Sequence, residues 1–570
     1  MRAFSSFGLV SLTTAVLCAV LALPVLGVLV SWIGADAQAW ATLAHQWRTV
    51  LPGYALNSAL LVAWVALGVT LVGAGAAAAV SLFEFPGRRV FEWALLLPLA
   101  IPAYVLAYVY TDALQFSGPI QTTLRAAFAL EGALWPDVRS LPAAVLLFTL
   151  ALYPYVYLLT RTALAERGVQ MMEAARVLGA GFWRRLGEVA LPLARPAITA
   201  GVALALMETL ADYGVGAFFG LDTFATGIYK AWLALNDRVA AAQMATLLLL
   251  VVALLLWMER RAQARLRFAG TRLGAAGSQD ARPTVLRGGL SAVAFVLCAL
   301  PVLLGFVLPV LLLVRLLGQE LRFSELGLPL AAFGGWAWAS FRLAAAAGLV
   351  ATALALWLAF LQRVNRRGAQ APLNRVAQWG LGLGGRVVGL GYAVPGGVIA
   401  VGILLPLSWV QAWLPHWGVP ALFTGTAMGL MLAYLVRFSA VALQAVESGY
   451  ARVPAAVDDT ARTLGARPWR LWSELHLPLL RRSALAALLL VFVDVMKELP
   501  ATLVLRPFNS DTLAVVAFNL ARDERLGEAA LPSLAIVLVG LAPVVMLSRA
   551  LRVGESGGAP AATLGPSRSA

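Results

Sequence analysis

A chain of 570 residues that is 61% hydrophobic and only 12% charged has too little polar surface to cover a water-soluble globule. Its mean hydropathy of +0.83 puts it in a bilayer. A formal net charge of +15 would suit a nucleic-acid partner if the cations clustered on one polar face, but they follow the membrane pattern instead, so nucleic acid is excluded.

Apolar runs able to cross about 30 Å of hydrocarbon fall near 7–32, 55–82, 91–111, 141–160, 194–216, 240–258, 290–317, 337–361, 383–409, 421–443, 483–503 and 529–549. They lack the alternating pattern of barrel strands, and lipid requires backbone groups to be satisfied internally. The expectation is an all-α polytopic membrane protein of about 12 transmembrane helices. The first run is long and lacks a small-x-small cleavage site, so it reads as an uncleaved span. Six spans fall in a first half, 1–258, and six in a second, 290–552. Between them lies a linker, 259–289, basic at its start and then rich in Gly, Ala, Ser and Pro. Residues 553–570 have the composition of a disordered tail.

With the N-terminus inside, loops after even-numbered spans carry most arginines, among them Arg88, Arg89, Arg161, Arg184, Arg185, Arg260, Arg261, Arg363, Arg470, Arg481 and Arg482; the opposite loops hold only a scatter such as Arg48, Arg125, Arg139 and Lys230. The positive-inside rule then expects both termini and both polar repeats between spans in the cytoplasm. Cys18 and Cys298 sit in apolar runs without a partner cysteine and read as small core residues. His45, His416 and His476 are scattered singly and read as ordinary loop or interface residues; no metal site or cofactor is expected. Pro98, Pro102 and Pro395 interrupt apolar runs as static kinks or as hinges.

Within this pattern the chain repeats itself. EAARVLGAGFWRRLGEVALPL (173–193) returns at 459–479 as DTARTLGARPWRLWSELHLPL, without a gap and at a constant offset of 286. Both copies are polar segments between spans. Glu166 to Leu178 favours helix, Gly179 suits a left-handed helix end, and GFWRRLGEVA forms a short second helix before Pro192 opens the next span. In the second copy Asp458 and Asp459 suit a helix start, and Pro468 suits a first turn. Trp183 with Arg184, and Trp469 with Arg470, then present an aromatic and a cation on an exposed helix, as a protein anchor does. Anchoring at the lipid interface is the plainer alternative.

The pattern EAA, three residues, Gly, nine residues, an aliphatic, one residue, LP resembles the cytoplasmic EAA loop of permease subunits of bacterial ABC importers. Glu173, Ala174, Ala175, Gly179, Val189, Leu191 and Pro192 fit it fully. The second copy keeps Ala461, Gly465, Leu475, Leu477 and Pro478 but has Asp459 and Thr460 in place of Glu and Ala. The resemblance implies two tandem six-helix type I importer permease (MetI-like) domains, with coupling loops at 166–192 and 452–478. METLADYGVGAFFGLDTFATGIYKAW (207–232) and KELPATLVLRPF followed by DTLAV are similar to fused ferric iron importer permeases. Ferric iron is therefore the implied cargo, with thiamine, sulfate or molybdate as alternatives.

A phosphate-binding loop needs Gly-Lys-Ser/Thr, whereas the only lysines are Lys230 and Lys497 and neither follows a glycine. The resemblance implies a transport subunit without its own ATPase site. Its expected partners are membrane lipid, two copies of a cytoplasmic ABC ATPase, one per loop, and an external solute-binding protein. Alternating access by rocking of the halves is the implied mechanism. An ion-driven secondary transporter would not need paired docking loops, and no loop gathers the groups of a catalytic site.

Glu208, Asp212, Asp494, Lys497 and Glu498 lie just past the loops at equivalent places in the two halves. Charges in lipid usually face a water-filled path or a partner, and carboxylate oxygens suit a small, highly charged cation. A translocation path and a static charge network both remain open for them.

Overall fold

The computed structural model describes residues 2–32, 37–272, 283–323, 328–365, 385, 388–451 and 453–556. Among them nine helices are long and apolar enough to cross a membrane, and the pair Arg88–Ala100 and Ala103–Phe128, bent by 90° at its break, makes a tenth. The first expected span is the helix Arg2–Val30, and the eleventh is Leu477–Met496, which carries Arg481 and Arg482 near its start. The protein is an all-α polytopic membrane protein.

The structure corrects several span readings. Residues 91–111 do not form one helix. Leu97–Ala100 is a tight 3-10 turn, Ile101 is extended, and Pro102 starts the helix Ala103–Leu114. Proline lacks the N–H that would continue the ladder and drives its predecessor out of helical geometry. The second half repeats the device in Gly391–Ala393, extended Val394 and Pro395 before the helix Gly396–Trp413. The expected kinks are thus full breaks; most of 381–387, in the ninth expected span, lies outside the described residues.

The spans expected at 194–216 and 483–503 stop early, at Ala211 and Met496, and each is followed by a six-residue helix, Gly214–Phe219 and Pro500–Leu505. Three other boundaries differ. The helix Arg238–Arg272 runs deep into the expected linker, and Thr284–Val285 pairs in parallel with Phe83–Glu84. The helix Leu526–Ser556 passes the expected boundary at 552, and the tail from 557 lies outside the described residues, as do 273–282 of the linker.

Each half is built on three packed helices: Leu51–Val69, Leu141–Val177 and Leu191–Ala211 in the first, and Leu330–Asn365, Met428–Tyr450 and Leu477–Met496 in the second. The opening helix of each half reaches across: Arg2–Val30 packs on Gly396–Trp413, and Gly289–Val302 packs on Gly75–Leu82. Buried cross-half hydrogen bonds reinforce this exchange, with the Tyr108 hydroxyl meeting Ser533 Oγ and the Tyr229 hydroxyl donating to the Pro500 carbonyl. Cys18 and Cys298 are buried free thiols.

Candidate coupling loops and central cavity

The two repeated loops end their helices in the same way. Gly179 has φ +84° and Gly465 φ +80°, a conformation costly for residues with a Cβ. Ala180 N–H donates to Ala175 O at 2.9 Å and Gly179 N–H to Arg176 O at 3.0 Å; Ala466 and Gly465 do the same to Ala461 and Arg462 at 3.0 and 2.9 Å. These paired bonds satisfy carbonyls that a helix end would otherwise leave unpaired. The chain then reverses and restarts at Phe182 and at Pro468.

The short second helix is not a separate element. Phe182–Arg185 continues through a π-helical turn, Leu186–Ala190, into Leu191–Ala211, and Pro468–Arg470 continues through Leu471–His476 into Leu477–Met496. Pro192 and Pro478 lie in the first turns of the membrane helices. Loop and span thus share one continuous run of helix in each half.

The outer surface of each loop is apolar where solvent would favour charge. Trp183 and Trp469 are 73% and 69% exposed, and Leu178 and Leu464 are 87% and 81% exposed. Glu173, Ala174 and Asp459 are exposed beside them, and Ala175 and Ala461 are half-buried. Arg184 pairs with Glu188 at 2.9 Å and Arg470 with Glu474 at 2.7 Å, one helical turn apart in both copies. A patch repeated in this detail suits a partner surface.

The bracing of the two loops differs. Beneath the second, Arg363 Nε is 2.7 Å from Asp458 Oδ2, and its other nitrogens donate to the carbonyls of Tyr450, Val453 and Pro454. His476, almost fully buried, lies 3.6 Å from the same carboxylate and against Phe360 and Tyr450. The residues 286 earlier are Ala77, Met172 and Ala190, and there Phe182 packs in a tilted arrangement on Phe83, with ring centroids 5.4 Å apart. His476 is thus a buried brace, which its isolated position in the sequence did not signal.

Between the halves lies a cavity of about 130 Å³. Glu208, Asp212, Asp494, Lys497 and Glu498 all line it, each at the end of a broken span. Their contacts differ. Asp212 Oδ1 accepts from Val215 N–H at 2.8 Å, and Glu498 Oε1 from Ala501 N–H at 2.8 Å, so both carboxylates cap the short helix that follows. Asp494 pairs with Lys497 at 3.0 Å.

Arg437 joins them and was missed from the sequence, although a lone cation inside the run LMLAYLVRFSAVAL is a signal in itself. Its Nη2 is 3.4 Å from Glu208 Oε2, across the interface between halves, and its Nη1 is 3.6 Å from Glu498 Oε1. Gly396 makes room for it, since a Cβ there would lie 2.8 Å from Glu498 Oε1 and 3.1 Å from Arg437 Nη1. Four carboxylates, two from each half, thus face two cations, both from the second half. Among the described residues no group of His, Cys, Asp and Glu converges as a metal-ligand set. The cavity's carboxylates are instead engaged in helix caps and ion pairs.

A second cavity of about 410 Å³ lies at the end opposite the loops. There Arg139 reaches Glu524 at 3.4 Å and Arg315 lies 4.0 Å from Asp112, both pairs crossing between halves.

Residues 70–268 match the model of the family described as "Binding-protein-dependent transport system inner membrane component". The chain is 24% identical over 507 residues to an Fe(3+)-transport system permease protein of Haemophilus influenzae, covering 86% of this chain and 89% of that protein. It is 26% identical over 196 residues to a putative 2-aminoethylphosphonate transport system permease protein of Salmonella choleraesuis, covering 34% and 68%. It is also 34% identical over 130 residues to a molybdenum transport system permease protein of Escherichia coli, covering 23% and 55%.

Proposed function

We propose, since this chain belongs to the binding-protein-dependent ABC importer permeases, that it forms the whole membrane path of a ferric iron importer. Two cytoplasmic ATPase subunits grip the loops at 166–192 and 452–478, with both termini on the same side, and an external binding protein delivers the cargo. Closing and opening of the ATPase pair moves Gly179 and Gly465 with their helices and rocks the halves about the central cavity.

One observation carries this reading: two loops of identical turn geometry at one end of the molecule, each continuous with a helix that reaches the same acid-lined cavity. Carboxylate oxygens are the hard ligands that a small trivalent cation prefers. The relative matched over nearly the whole of both chains is an iron permease. Arg437 and Lys497 favour a second reading, an oxyanion cargo such as molybdate or a phosphonate.

The test is uptake by cells with and without the chain, using radiolabelled iron, molybdate and 2-aminoethylphosphonate in parallel. Chain-dependent accumulation of iron alone supports the first reading, and accumulation of an oxyanion instead rejects it. Proton- or sodium-driven transport by the purified chain without an ATPase would reject the importer mechanism itself.

A further inference from the structure

The six charged groups of the central cavity are unequally held. Asp212 and Glu498 are committed to helix caps, and Lys497 sits at 3.0 Å from Asp494. Arg437 is different. It is buried at 8% exposure, yet its contacts to Glu208 and Glu498 are long, 3.4 and 3.6 Å, and its Nε and Nη1 have no hydrogen-bond acceptor among the described residues. Arg363 shows the contrast. That guanidinium is locked at 2.7 and 3.3 Å on one carboxylate and also bonded to backbone carbonyls. Arg437 is therefore held mainly by charge balance, with few directed bonds to break.

We propose that Arg437 is a tethered counter-ion: it neutralises Glu208 and Glu498 while the path is empty and yields Glu208, the one of the two not committed to a helix cap, to the cargo cation, which sets both selectivity and release. The inference rests on the ferric iron reading. With every group ionised the lining carries four negative and two positive charges, a net of −2, so a trivalent ion entering it leaves a residue of +1. Without Arg437 the net is −3, and the same ion is fully neutralised. A path of that kind traps its cargo. The displaced guanidinium has somewhere to go, because Arg437 itself lines the cavity. Its first-half counterpart, 286 residues earlier, is Ala151, so the device exists once.

The test uses the full chain with its ATPase partner in nanodiscs, and radiolabelled Fe3+ supplied as the nitrilotriacetate chelate. Equilibrium dialysis reads affinity, and whole-cell uptake reads the maximal rate. Arg437→Gln should bind iron at least tenfold more tightly and lower the maximal uptake rate at least tenfold. Glu208→Gln added to it should reverse the gain in affinity. Arg437→Lys, which keeps a shorter cation, should shift both quantities the same way by less, and it decides the matter if the glutamine variant does not assemble. Unchanged or weaker binding by these variants overturns the counter-ion role, since a merely structural arginine would not tighten binding when lost. A wild-type protein that neither binds nor imports iron while importing an oxyanion overturns the cargo reading and this inference together. Wild-type iron import with unaltered variant affinity overturns the inference alone.

Discussion

Asp212 and Glu498 stand 286 residues apart and cap in the same way, each accepting the backbone N–H three residues ahead, from Val215 and Ala501, both at 2.8 Å. The same carboxylate follows the end of a membrane helix and caps the short helix beyond it, in both halves. Glu498 accepts further bonds from the Thr502 N–H, at 3.0 Å, and from the Thr502 hydroxyl. An amide keeps an acceptor oxygen and alanine keeps none. Asp212→Asn should therefore fold with near wild-type stability, whereas Glu498→Gln, whose amide nitrogen cannot accept the Thr502 bonds, and the two alanine variants should each lose about 1 kcal/mol or more. Thermal unfolding of the purified protein checks this; alanine variants as stable as wild type would show that the caps do not hold the breaks.

At Gly179 and Gly465 the demand is on the backbone alone, because no atom lies within 4 Å of where a Cβ would sit. Gly179→Ala and Gly465→Ala should each strain the turn by roughly 1–2 kcal/mol. Asparagine, which tolerates the left-handed region, should cost less. The expected outcome is reduced ATPase copurification and iron uptake in the order Gly, Asn, Ala, with membrane insertion unchanged. Proline should uncouple transport entirely. Normal transport by both proline variants would remove the turn from the coupling mechanism.

Trp183 and Trp469 expose most of their surface, so little of the fold depends on them. Trp183→Ala and Trp469→Ala should change stability by less than about 0.5 kcal/mol and still weaken recovery of the ATPase on affinity purification. A fall in melting temperature with undiminished recovery would instead mark these side chains as membrane or packing anchors.

The brace beneath the second loop gives the halves different vulnerabilities. Asp458 is buried against Arg363, and removing one partner of such a pair costs about 3 kcal/mol. Asp458→Ala should destabilise the second loop, seen as increased proteolysis near 452–478, while Met172→Ala at the matching first-half position leaves no charge unpaired and should be milder. Comparable losses from the two variants would contradict this asymmetry.

Acid adds to the effect through His476. Burial, the largest cause, pushes its imidazole below the ordinary value of 6.5, opposed by Asp458 and reinforced by Arg363 and Arg462. The unfolded chain therefore binds this proton at higher pH than the folded one. The contribution of His476 is full above about 6.5 and fades as pH falls below it. Melting temperature should drop on acidification from pH 7 to 5.5, less steeply in His476→Gln, and equal slopes would assign the acid sensitivity elsewhere.

Sequence alone determined what depends on short stretches of chain. Apolar run length placed most of the membrane helices though not the breaks within them, the 286-residue offset exposed the doubled plan, and the positive φ at Gly179 and Gly465 was readable because a helix end is a local event. The five ionisable residues around the cavity were legible as charges out of place in lipid. Tertiary structure decided what those charges meet. Glu208 and Arg437 are 229 residues apart and Arg363 and Asp458 are 95 apart, separations that no periodicity encodes. The breaks at Asp212 and Glu498, the exchange of opening helices and the different bracing of the two loops likewise arise from packing. Lipid obliges each freed backbone group and each charge to find a partner inside the protein, and which partner it finds depends on how the two halves fold against each other.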